Sequence, residues 1–115
     1  MENMRIDVRV KVVAAHVQCL TPAGRRMLYK LVKAFHAGNK ALTRRDIAQL
    51  LHRTNITPHD CTLLNSLVEH GLLKCERVAL YTHDERPAGS RFLYRMSPDI
   101  KNAIIRLIQA SRTKS

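Results

Sequence analysis

Between Thr21 and His59 the chain carries eight lysines and arginines, at positions 25, 26, 30, 33, 40, 44, 45 and 53, against one acid, Asp46. That local net of +7 is more than half of the formal +11 carried by all 115 residues. Duplex nucleic acid is a dense line of negative charge, and cations arrayed on one face bind it by releasing its condensed counterions. A clustered excess of this kind points to an anionic partner, either nucleic acid or an anionic membrane surface. Other chemistries find less support. Metal sites want ligands at short, regular spacing. Here His59-x-Cys61 is the closest pair, and neither C-x-x-C nor H-x-x-x-H occurs. No metal and no cofactor are expected. There is no P-loop, no G-x-S-x-G and no H-E-x-x-H, and Asp84-Glu85 in a turn-rich loop are not a positioned acid/base pair. An enzyme is not expected.

Cys19, Cys61 and Cys75 are an odd number, which suits small buried hydrophobes in a reducing compartment. His16, His36 and His70 are expected near helix ends, against the last carbonyls. The N-terminus MENMRIDVRVKVV has no uninterrupted apolar run, and no stretch approaches the length of a membrane span. The expectation is a soluble, cytoplasmic protein with no membrane partner, lying on the nucleoid, or in the nucleus of a eukaryote.

The elements that would position these groups can be read in order. Ile6, Val8, Val10 and Val12 alternate with Asp7, Arg9 and Lys11, which predicts a strand to about Val13. Val8, Val12, Ala15, His16 and Cys19 also fit helical spacing, so 14–20 stay open between strand and helix. Thr21-Pro22 starts a helix with a hydroxyl cap and a proline in its first turn. Met27, Leu28, Leu31, Val32 and Phe35 give that helix an apolar stripe, and Gly38-Asn39 ends it. A short second helix begins at Thr43, with Asp46 three residues on as its capping-box partner. Ile47, Ala48, Leu50 and Leu51 face inward, and it ends near Arg53. Thr57-Pro58 repeats the start signal for a third helix, with Cys61, Leu64, Leu67 and Val68 inward, Asp60 at the positive end of the dipole and Gly71 past its end. Residues 72–82 and 91–96 read as two strands around the loop HDERPAGS. Ser97-Pro98 opens a final helix striped by Ile100, Ile104, Leu107 and Ile108.

The segments LTRRDIAQLL (42–51), TPHDCTLLNSLVEHGLL (57–73) and the hairpin running to RFLYRM resemble the winged helix-turn-helix superfamily, and most nearly the MarR-like and PadR-like transcription regulators. Ala48 fits the small residue where the two helices of that motif meet. Leu64-x-x-Leu67-x-x-x-Gly71-Leu72-Leu73 matches the end of its recognition helix. The likeness spans about residues 21–110 and stays at superfamily level. There are departures. The turn is longer than in the tightest motifs, His52 stands near the usual turn glycine, and the wing tip carries Asp84 and Glu85. The resemblance implies an α+β, mainly helical fold: a three-helix core, a two-stranded wing and extra terminal elements, in one domain over 1–115.

It also implies double-stranded DNA as the partner and transcription regulation as the role. The recognition helix, about 57–70, would lie in the major groove. Of the residues off its apolar stripe, His59, Thr62, Asn65 and Ser66 are the base-reading candidates, with Asn65 suited to adenine. Phosphate contacts would come from Thr43, Arg44, Arg45, Arg53 and Thr57, and from Arg86 and Arg91 flanking the wing tip. Each has a plainer role: Thr43 and Thr57 as caps, Asn65 and Ser66 as ordinary exposed helix residues. Residues 1–20 and 97–115 would form a homodimer, or else complete the core of one chain. The competing reading is a basic winged-helix adaptor in a protein–RNA or protein–protein assembly. Single-strand readers display stacking aromatics. With five aromatics, at least three on core-facing stripes, duplex DNA is favoured over RNA.

Overall fold

A computed structural model describes residues 2–113. Five helices and three strands follow in the order α1 (Glu2–Gln18), α2 (Pro22–His36), β1 (Leu42–Thr43), α3 (Arg44–Leu50), α4 (Pro58–Glu69), β2 (Lys74–Tyr81), β3 (Pro87–Arg95) and α5 (Pro98–Thr113). The class is α+β, mainly helical, with one antiparallel sheet in the order β1-β3-β2.

The core is built on α2. Thr21 caps it, its hydroxyl accepting from the Gly24 amide at 3.1 Å, and Pro22 fits the first turn, where no amide partner is needed. Its stripe at three and four spacing is shut from water, with Leu28, Leu31, Val32 and Phe35 all buried. α3, α4 and α5 pack against it. Ile47, Leu64, Leu67 and Ile104 reach the same core, each with no exposed surface.

The N-terminal strand expected to Val13 is not formed: residues 2–18 are the helix α1. The alternation of Val8, Val10 and Val12 gives way to a helical stripe of Val10, Val13, Val17 and Leu20 facing the core. Val12, Ala15 and Cys19, which also sit at helical spacing, fall on the outer side. The helix wins because α5 offers it an apolar side to pack along. The terminal elements thus complete the core of this chain: Val13, Val17 and Leu20 from one end, Ala103 and Ile104 from the other.

β1 has no signature in the sequence. Leu42 and Thr43 pair with Tyr94 and Leu93, adding a two-residue edge to the hairpin. β2 and β3 pair from Lys74↔Arg95 to Tyr81↔Pro87, with a bulge near Gly89, whose φ is +99°. Residues 81–91 are exposed throughout, so the outer half of the hairpin stands clear of the core.

Helices α2, α3 and α4 end alike. After each, a residue with positive φ turns the chain, and the next amide donates to the carbonyl five residues back: Asn39 to Ala34, Arg53 to Ala48, Leu72 to Leu67. Gly38 and Gly71 make two of these turns, but His52 makes the third at φ 57°. A side chain costs about 1–2 kcal/mol in that conformation. His52→Gly is therefore expected to raise the urea midpoint, by a stability gain of up to about 1 kcal/mol; an unchanged or lower midpoint would mean the exposed imidazole stabilises the turn.

Candidate nucleic-acid interface

The pair α3–α4 is fixed by two capping boxes of one design. Thr43 accepts from the Asp46 amide at 3.1 Å while Asp46 accepts from the Thr43 amide at 2.9 Å. Thr57 and Asp60 repeat the exchange at 3.1 Å each way. Both boxes close the orphan amides at the helix starts. Thr43 and Thr57, expected as phosphate contacts, thus use their hydroxyls as caps.

Asp60 does more than cap. Expected at the positive end of the helix dipole, it is also buried, at 2% exposed. Its Oδ2 meets Nε of Arg53 at 3.3 Å, tying the turn between the helices to the start of α4. Burial disfavours the charged carboxyl, yet the Thr57 hydrogen bonds and the attraction of Arg53 and His59 outweigh it, and its pKa lies below the ordinary carboxylate value. Arg53 is therefore partly committed inside the fold.

Arg44, Arg45, Arg91 and Thr43 are brought together. They line a groove of about 590 Å³ with Asp46, Leu80, Ser90 and Phe92, between the start of α3 and the hairpin. A second groove of about 460 Å³ runs from Arg44 and Arg45 past Ala48 to Thr54, Asn55 and Ile56, the turn that leads into α4. A continuous strip therefore joins hairpin, α3 and the entrance of α4, with the two arginines as its ridge.

Arg44 is held from below. Its Nε donates to the Tyr94 hydroxyl at 3.3 Å, and its guanidinium carbon lies 4.3 Å over the Phe92 ring. The Tyr94 hydrogen bond raises the Arg44 pKa against the opposing effect of burial. Burial pushes the Tyr94 phenol up, so it stays protonated and accepts from Arg44. Arg45 is exposed.

On α4, His59, Thr62 and Asn65 share one exposed side with Glu69. Ser66 is half-buried, which limits its reach. Thr62 donates its hydroxyl proton to the Pro58 carbonyl at 3.1 Å. No lysine or arginine lies on this helix, so its positive surroundings come from the flanking strip.

Arg86 is not part of that strip. It sits in the hairpin turn, where its amide donates to Thr82 and its carbonyl accepts from the Thr82 amide, beside Asp84 and Glu85. Arg77 was missed in the sequence. It lies across from Phe92 and donates from Nε to Ser90 at 2.8 Å, beside the groove. The alternation in CERVALY puts Arg77 on a face with Cys75 and Ala79, but only the register with β3 reveals what that face meets.

The cysteines differ from expectation. Cys19 and Cys75 are exposed and Cys61 is half-buried, all as free thiols. Cys19 falls on the outer side of the turn that follows α1. His16 and His70 also depart from the expected carbonyl contacts: their Nδ1 atoms meet each other at 3.2 Å with the rings edge to face. Among the described residues no group of three or more metal ligands occurs, and no helix is long and apolar enough to cross a membrane.

Comparison with known protein families and with curated proteins returned no match.

The depressed pKa of Asp60 has a stability consequence. A carboxylate with a folded-state value below its unfolded one stabilises the fold fully above about pH 4, and loses that effect as pH falls through the folded value. Asp60→Ala is expected to cost about 1.5–3 kcal/mol at pH 7, the range for hydrogen bonds to charged groups. The variant should also show a flatter decline of denaturant midpoint below pH 4. A parallel decline in both proteins would assign acid sensitivity elsewhere.

Proposed function

We propose that this chain is a winged helix-turn-helix protein that binds double-stranded DNA with sequence preference and regulates transcription. α3 and α4 would be the helix-turn-helix, α4 the recognition helix, and β2–β3 the wing. The order of helix, short helix, helix, two-stranded hairpin and helix in α2, α3, α4, β2–β3 and α5 supports that reading. The observation that carries the functional reading is the strip of Arg44, Arg45 and Arg91 leading to the exposed His59, Thr62 and Asn65 of α4.

The physical argument runs from charge to shape. An α-helix with its side chains is about 10–12 Å across. The major groove is about 12 Å wide. A helix without cations, flanked by arginines, suits this division of labour: the flanks hold phosphates and the helix meets bases. Glu69 at the far end of α4 and Asp84-Glu85 at the wing tip repel phosphate, so the stretch of α4 from His59 to Asn65 is the part that enters. Ser66, Arg53 and the two capping threonines carry less of the reading than Arg44, Arg45, Arg91, His59, Thr62 and Asn65.

A homodimer belongs to the proposal. The inner sides of α1 and α5 serve their own core, but Val12 is 52% exposed on α1, and Leu107 and Ile108 of α5 are only half-buried. Two copies would set their recognition helices about 34 Å apart on DNA. One observation favours the adaptor reading: Tyr81 on the hairpin is 66% exposed, a surface on which an unpaired base can stack.

Binding of mixed-sequence 24-bp DNA duplexes and of their separate strands, measured by fluorescence anisotropy over a salt series, tests these readings. Duplex preference with a steep salt dependence supports DNA binding; equal affinity for single strands moves the assignment to RNA. Arg45→Ala should weaken all duplexes alike and reduce the slope of log K against log salt by about one. After selection of a preferred duplex, Asn65→Ala should lose about 1–3 kcal/mol of discrimination at one base pair. Unaltered binding in both variants would remove this face from the interface.

A further inference from the structure

We infer that Tyr94 and Phe92 are positioning residues that hold Arg44 in place to grip one phosphodiester group of the bound nucleic acid. The inference rests on the DNA-binding reading and adds two residues that act through Arg44. Tyr94 is 1% exposed and closed off from DNA, while Phe92 is half-buried beneath the Arg44 guanidinium.

A guanidinium has five N–H donors in a planar fork. In Arg44 the Nε–H is directed to the buried Tyr94 hydroxyl at 3.3 Å, and the guanidinium carbon lies 4.3 Å from the centre of the Phe92 ring. The four N–H groups on the two terminal nitrogens are left over. Their parallel pairs match two oxygens of a phosphate. The backbone is fixed as well. Thr43, the residue before Arg44, pairs with Leu93 of β3, and Leu42 pairs with Tyr94 itself, so the strand that supplies the two aromatic residues also locates the arginine. Arg45 has no hydrogen bond or ion pair among the described residues, and it must lose side-chain freedom on binding. Arg44 has already lost it. Pre-organisation improves affinity without adding a charge, so it should not alter how many counterions are released.

That separation gives the test. Binding of a mixed-sequence 24-bp DNA duplex is measured over a salt series for the wild type, Tyr94→Phe, Phe92→Leu, Arg44→Ala and the double variant Arg44→Ala with Tyr94→Phe. Tyr94→Phe removes one oxygen and keeps the buried ring; circular dichroism checks that its fold is retained. Affinity is expected to fall about three- to tenfold in Tyr94→Phe at each salt concentration, with an unchanged salt slope. Phe92→Leu should act in the same direction. Arg44→Ala should lose affinity and reduce the slope by about one. In the Arg44→Ala background, Tyr94→Phe should have no further effect. An equal loss in both backgrounds would make Tyr94 a general support of the fold and overturn the inference. So would full affinity in Tyr94→Phe while Arg44→Ala still weakens binding, an outcome that leaves DNA binding standing. A wild type that does not bind duplex removes the DNA-binding reading and this inference with it.

Discussion

The apolar stripe of α2 has to be shielded from water on several sides at once, and no single neighbour is wide enough to do it. Leu28 and Leu31 are at most 1% exposed because α3, α4 and α5 each turn an apolar side toward them. Full burial of such side chains stabilises by roughly 1.5–3 kcal/mol each, which makes this shared seam the largest single source of order in the domain. Once it is satisfied, the orientation of each surrounding helix is settled. α4 gives Leu64 and Leu67 to the seam, and His59, Thr62 and Asn65 are the side chains that remain outside. The surface of α4 is thus a by-product of what it buries.

The same arrangement disposes of the acids. Two carboxylates stand close to the arginine strip, Asp46 and Asp60, and both are turned onto backbone amides as capping partners. Asp60 is buried besides. Neither projects a free charge toward a polyanion approaching α3 and α4. The acids left at the surface near the proposed ligand face, Glu69, Asp84 and Glu85, lie at the far end of α4 and at the hairpin tip. A weakly acidic chain of different arrangement would cancel its own cations. Here the internal hydrogen bonding of the helix starts would do part of the electrostatic work of the proposed interface.

What could be read from the sequence was whatever is written locally. Thr21-Pro22, Thr57-Pro58 and Ser97-Pro98 mark three helix starts, because a hydroxyl cap and a fixed φ act within four residues. Gly38 and Gly71 mark ends for a similar reason. Phe92 and Tyr94 share one side of β3, as period two dictates for residues two apart. α1 was not, since Val8, Val10 and Val12 alternate as a strand would, and only α5, some ninety residues away, decides for the helix. β1 was invisible because two residues have no period. Of the site, the arginines at 44, 45 and 91 were legible as charges. The groove that unites them, the burial of Asp60 and the support under Arg44 depend on partners far off in the chain, and no short-range signal encodes those.

The two-residue strand has a mechanical meaning. Leu42 and Thr43 are stitched to Leu93 and Tyr94, and the next residue begins α3. There is no slack between hairpin and helix, so neither can swing without dragging the other. A curved polymer laid across them would meet a stiff bracket, not two independent fingers, and any bending needed for a close fit would fall on the polymer.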